Sequence, residues 1–298
     1  MIRDRRCSVL AKSSDDEIYQ SVTSAEAGWN YLNFQARRLI SGQIWSGDTG
    51  DNEYLFVVMG GNMKALTSAG HWTTTNARQD VFSGLPHALY LPPHTAFELM
   101  AAEETLDIAA GWCSCDKIYP ARLVSPSDVN DMGIELRGGD NASRQINSIL
   151  PPGSPCRRLV CVEVYTPSGN WSSFPAHKHD SRKTDPADGS LIEADLEEIY
   201  FYKIDKPTGF AIQKVYNSDR TLDEIAEACN NDIVLVPEGY HPVVAGHGYN
   251  VYYLNFLAGS DQSLRSSDDP DHKWIYGTWT AMDLRVPLVT LEMNGKRG

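Results

Sequence analysis

The chain has 298 residues, 42% hydrophobic and 10% aromatic, enough for one large or two medium domains with real cores. Its formal net charge of -13 excludes the basic surface that nucleic acid or an anionic membrane demands, while leaving room for a small anion held by a few Arg or Lys side chains. No apolar run is long enough for a membrane-spanning helix, and the start, Met1-Ile-Arg-Asp-Arg-Arg-Cys7, has charges but no apolar segment behind them, unlike a secretory signal.

Taken in order, residues 1–25 are polar and mixed. Strand-like runs follow at Trp29–Ile40, Glu53–Met59, Ala88–Leu91, Ala96–Ala101 and Leu106–Trp112, separated by Gly-, Pro- and Asp-rich turns. This is the patterning of an all-β sandwich or barrel. The stretch 113–156 reads as a bridge; its Arg137-Gly-Gly-Asp-Asn-Ala-Ser-Arg144 has no following Gly-Lys-Ser/Thr and is no phosphate loop. A second set of strands is expected at Arg158–Tyr165, Gly209–Tyr216, Ile233–Pro237 and Tyr249–Leu257, with Thr221 and Glu224 spaced as a turn or short helix start. The tail, 260–298, is polar but concentrates Trp274, Tyr276 and Trp279, a composition suited to packing over a barrel or a partner subunit, so a homo-oligomer is expected. Cys7, Cys113, Cys115, Cys156, Cys161 and Cys229 form no Cys-x-x-Cys pair and read as reduced thiols of a cytoplasmic protein.

The chemistry concentrates at 170–198 and 236–242. In His177-Lys-His179 the two imidazoles share one face of an extended strand, because side chains alternate with a period of two. Glu198 opens the run Ile-Tyr-Phe-Tyr, and His241 follows the strand 233–236 across a Pro-Glu-Gly turn. Three imidazoles and one carboxylate from separate strands can enclose one divalent cation, Zn or Mn first and then Fe or Ni, with positions open for substrate. This order of ligands is the metal signature of cupins. Tyr90-Leu-Pro-Pro-His-Thr-Ala-Phe97 lies over Leu235–Pro242, and Glu53-Tyr-Leu-Phe over Glu198-Ile-Tyr-Phe, placing Ala96 where His241 sits. The chain therefore reads as a bicupin, two jelly-roll β-barrels with short helical turns: a degenerate barrel over 1–125, a connector over 126–156, a metal-binding barrel over 157–259 and the tail. His71, His87, His94, His247 and His272 read as structural.

The segments 163–180, 196–202, 209–216, 219–224, 234–242, 252–255 and 269–275 closely resemble the 5-deoxy-glucuronate isomerases of bacterial myo-inositol catabolism. The pectin-pathway uronate ketol-isomerases share the metal set but not Asn170-Trp-Ser-Ser173. The resemblance implies that His177, His179, Glu198 and His241 are metal ligands, and that the reaction turns 5-deoxy-glucuronate, a small anionic sugar acid, into 5-dehydro-2-deoxy-gluconate. In such a reaction a Lewis-acidic metal acidifies a C–H bond while a base carries the proton. Glu163 is the candidate base, since its alternation with Val162 and Val164 allows it to face the barrel interior. Arg144 and Arg220 are candidate forks for the substrate carboxylate. Tyr200 and Tyr202 share the face of Glu198 and either line the pocket, Tyr202 then touching substrate, or fill the core. Two other functions stay open: a metal-dependent cupin dioxygenase using the same ligand set, and a non-catalytic sugar-binding bicupin, against which an intact ligand set argues.

Overall fold

The structure, a computed structural model, describes residues 9–10 and 17–296; Cys7 lies outside them. It is built of antiparallel strands with two short helices, Ser24–Ala27 and Pro126–Met132. Each helix starts on a capping box, Thr23 with Glu26 and Ser125 with Asp128. Around Thr221 the chain turns without a helix, and the strand Asp223–Cys229 follows.

The two halves repeat one plan. In the first, a six-stranded sheet runs in the order 122–124, 88–91, 52–60, 105–114, 33–40, 18–22, and a four-stranded sheet of 44–48, 96–101, 63–67 and 70–73 completes the barrel. In the second, 233–236, 191–204, 251–259, 160–166 and 144–150 take the same places as 88–91, 52–60, 105–114, 33–40 and 18–22. The facing sheet holds 171–172, 243–245, 210–216 and 223–229. The molecule is thus an all-β bicupin. The expected connector is not loop alone: it contains the second helix and the strands Ile134–Arg137 and Arg144–Leu150, which widen the second barrel's large sheet.

Period-two alternation sorts the side chains into three cores. Along Leu191–Ile204, Tyr200, Tyr202 and Ile204 enter the second barrel with Val162, Val164, Val234 and Tyr253. Ile199 and Phe201 point the other way, into a core shared by both barrels with Phe34, Leu55, Val57, Tyr165 and Phe256. There Phe201 and Phe256 flank Phe34 at 5.2 and 5.9 Å between ring centroids. A Cβ at Gly111 would stand 2.3 Å from the Phe256 ring, so only glycine lets that strand approach so closely.

The first barrel's interior is aromatic. Trp45, Phe56 and Phe97 meet edge to face, and Tyr54 stacks on Trp112 at 5.0 Å and 1°. Cross-strand register fixes what matches what. Tyr54 opposes Leu91 and Trp112, just as Glu198 opposes Val236 and Leu257. Tyr54 is therefore the counterpart of Glu198, and Glu53 that of Glu197, one residue off the match drawn from sequence. Ala96, five residues after Leu91, does correspond to His241, five after Val236.

Candidate metal centre

His177 lies on the two-residue strand His177–Lys178, paired with Ser267–Asp268. His179 follows two residues on, Glu198 comes from the long strand of the large sheet, and His241 from the turn after 233–236. Ligand atoms of His179, Glu198 and His241 all lie within 4.8 Å of one another. The His177 ring stands beside them, its centroid 4.9 Å from that of His241 and 6.4 Å from that of His179.

The hydrogen bonds fix which imidazole nitrogens are free. His179 Nδ1 meets the Leu196 carbonyl at 3.2 Å and His241 Nδ1 the Gly239 carbonyl at 2.8 Å. Carbonyls only accept, so both Nδ1 atoms donate and both Nε2 atoms present lone pairs. Both lone pairs face one carboxylate oxygen, Glu198 Oε2, at 2.9 Å from His179 and 3.2 Å from His241. The buried His241 Nε2 has no hydrogen-bond partner. One proton could satisfy one imidazole but not both; a cation among the three acceptors satisfies all of them. Backbone carbonyls orienting the far nitrogen are the arrangement that fixes metal-binding histidines. Burial first, then the neighbouring imidazoles, hold His177 well below the usual histidine range, and burial lowers His241 to about 4. Both are thereby kept in the neutral form that ligates. Burial also opposes charge on His179, but the Glu198 carboxylate outweighs it and raises the pKa.

Beyond the ligands lies a set of hydroxyls. The Tyr200 ring is 5.9 Å from His241 and 4.8 Å from Tyr253. The Tyr200 hydroxyl pairs with Ser173 Oγ at 3.2 Å, and Tyr253 donates to Ser172 Oγ at 2.8 Å. Burial raises the pKa of the Tyr253 phenol, and its hydrogen bond to Ser172 works against that rise. Sequence reasoning passed over Ser172, Ser173 and Tyr253; the consecutive serines before His-x-His were the available signal.

The other expected site residues divide. Arg144 is brought to the centre: 5% exposed, it donates from Nη1 to the carbonyls of Ala142 and of Phe174, three residues before His177. Tyr202 lies deeper in the barrel, stacked under Tyr200 and donating to Gln213 Oε1 at 2.8 Å, so it fills the core. Arg220 sits on an exposed turn, over the Tyr216 ring and 3.7 Å from Asp223. Glu163 is not at the centre. Val162 and Val164 face the barrel interior, so the residue between them faces the opposite side. There its carboxylate meets Arg78 at 2.8 Å and Asn147 at 2.9 Å, fully buried between the barrels. His272 packs beside Phe174, its ring 6.3 Å away, and faces Asp269 at 3.9 Å.

Fold and site together define a bicupin with one histidine–carboxylate centre among the described residues, in its second barrel. The model of the KduI/IolB family matches residues 8–275, and the chain belongs to that family. It is 40% identical over 255 residues to a 5-deoxy-glucuronate isomerase of Geobacillus thermodenitrificans, covering 85% of this chain and 89% of that protein. A Bacillus subtilis protein of the same name is 34% identical over 265 residues, covering 88% and 94%. Among solved structures, an IolB-like protein from Salmonella typhimurium LT2 superposes with a TM-score of 0.84 at 33% identity, covering 90% of this chain and 98% of that one. An oxalate decarboxylase variant of Bacillus subtilis, at 12% identity and TM-score 0.58 over 87% and 78%, shares the fold.

Proposed function

We propose that this chain is a metal-dependent aldose–ketose isomerase, converting 5-deoxy-D-glucuronate to 5-dehydro-2-deoxy-D-gluconate in inositol catabolism. Relatives of that name at up to 40% identity over most of the chain support the reaction. The observation that carries the site is the convergence of two imidazole lone pairs and a carboxylate oxygen on one point. His179, Glu198 and His241, with the His177 ring beside them, would hold one divalent ion, the imidazoles suiting Zn and the carboxylate Mn. Such an ion, when bound, supplies Lewis acidity to a carbonyl and its neighbouring hydroxyl. The chain's own residues bind and orient the sugar acid. Ser172, Ser173, Tyr200 and Tyr253 offer hydroxyls that orient sugar oxygens, and the barrel wall around them keeps water from the reacting carbons. Arg144 attracts the distal carboxylate. Residues 157–259, with the strands of 134–150 added to their sheet, would be the working barrel, and 1–125 the degenerate one.

The test joins metal analysis to proton NMR of 5-deoxy-glucuronate in deuterated water. One metal per chain and formation of ketose are expected, and His177→Ala should lose most of the metal. Oxygen uptake without ketose would move the protein to the dioxygenase reading.

We also infer self-association through the tail, where Trp274 is 68% exposed and Leu284 wholly so. Sedimentation should give a multiple of the chain mass that Trp274→Glu reduces; a wild-type monomer would sink the idea. A cytoplasmic setting suits the free thiols of Cys113, Cys115, Cys156 and Cys161. No helix among the described residues is long and apolar enough to cross a membrane.

A further inference from the structure

Arg144 is buried to 5% exposure, yet among the described residues no carboxylate pairs with it. A buried guanidinium without a counter-ion is costly, and burial does disfavour its charge. Glu135, two residues along the neighbouring strand from the residue that pairs with Arg144, is taken by Arg137 through two bonds of 2.8 Å. Both bonds of Arg144 itself leave from Nη1 and end on carbonyls, so the fork is held in place without being neutralised. Its bond to the Phe174 carbonyl, three residues before His177, puts it on the metal side of the barrel.

A second observation concerns what covers this corner. The segment after 267 is stitched at one end to the metal ligands: Asp268 pairs with His177, and Asp269 donates its amide to the Ala176 carbonyl at 2.8 Å. Its other end is stitched to the loop before Arg144. There Thr280 donates to the Asp140 carboxylate, Asp140 N to the Ala281 carbonyl at 2.7 Å, and Asp283 N to Ser143 Oγ at 2.9 Å. Trp279 lies on Gly139, where a Cβ would come within 2.5 Å of its own. Residues 269–279 therefore arch from the metal histidines to the arginine. Within the arch the Tyr276 phenol donates to Asp268 at 3.1 Å, and its ring stands 5.4 Å from that of Trp279, which covers Gly139 in the loop before Arg144.

We propose that Arg144 and the arch over it, through Tyr276, form the subsite for the carboxylate of the sugar acid, at the end of the substrate remote from the metal. The arginine supplies a charged fork and the phenol a further donor once it turns from Asp268. This rests on the isomerase reading above for the orientation of the sugar. It assigns the strap 269–279 to substrate selection, a role distinct from subunit contact.

The experiment is titration calorimetry of the metal-loaded protein with D-glucuronate and with D-glucose, which share the C1–C2 end and differ at C6. Wild type should prefer glucuronate by about 10-fold or more, the scale of one charge-assisted hydrogen-bonded pair. Arg144→Lys, which keeps the charge but loses the fork, and Tyr276→Phe, at a half-exposed position, should each shrink that preference at unchanged metal content. The same variants should raise KM for 5-deoxy-glucuronate more than they lower kcat. No preference in wild type, or a preference untouched by both variants, overturns the subsite. A loss confined to Arg144→Lys overturns the part given to the strap. Intact preference in a protein that forms no ketose sinks the isomerase reading and leaves the subsite standing.

Discussion

Between the barrels, Arg78 and Glu163 are both wholly buried, 2.8 Å apart. Asn147 and the Tyr165 hydroxyl also bond the carboxylate, and Arg78 Nε donates to the Val58 carbonyl. The pair is a structural tie between the halves, and its removal should read as stability rather than chemistry. Glu163→Gln leaves Arg78, whose Nη2 already has no partner, without its counter-charge. The expected cost is about 3–5 kcal/mol in urea unfolding, with kcat per folded molecule close to wild type. A base would behave oppositely, its loss lowering kcat by roughly two to four orders of magnitude. Sequence could not tell these apart. Alternation put Glu163 on the opposite face from Val162 and Val164, but which face looked inward depended on Arg78, 85 residues away. Spacing did point to the corner where His179, Glu198 and His241 converge with His177 beside them, because the strand period and the turn before His241 are local.

At the scale of strands, the legible part was the order of short β runs and the duplication, since both follow from turn residues and apolar alternation. The register was not legible. Glu53 and Glu198 each head an apolar run, and sequence laid one on the other; pairing with Leu91 and Val236 shifts the match by one. The shift decides the fate of the first barrel. With Tyr54 in the place of Glu198 and Ala96 in that of His241, the interior closes over stacked Tyr54 and Trp112, which offer no ligand set. This physical difference underlies the expectation of one metal per chain. Strands inside the expected connector were missed for a related reason. Arg144–Leu150 is polar where it passes Arg78 and Glu163, so it lacks the apolar run by which other strands were found.

The whole molecule is held by reciprocal grips that the corrected register makes intelligible. Glu53 of the first barrel accepts the amides of Arg157, Arg158 and Leu159, at the entry to the second barrel's strand 160–166. Its counterpart Glu197 accepts those of Asn30, Tyr31 and Leu32, at the entry to 33–40. Lys203 reaches from the second barrel to Asp107 of the first at 2.7 Å, and the tail closes the seam, Gln145 holding Leu288 and Val289 while Asn294 bonds Leu85. Around these ties lies the shared apolar core, which neither barrel could cover alone. The two halves should therefore unfold together, in one urea transition seen alike by far-UV and tryptophan signals. Glu53→Ala orphans three amides at once, each costing about 1–3 kcal/mol if left unpaired, so the midpoint should fall well below that of Glu53→Gln, which keeps an oxygen in place. Glu197→Ala should fall less, because Asn30 lies at the surface where water can replace the lost acceptor. Two separate transitions in the wild-type protein, or a Glu53→Ala midpoint equal to that of wild type, would mean that the barrels are independent and the grips incidental.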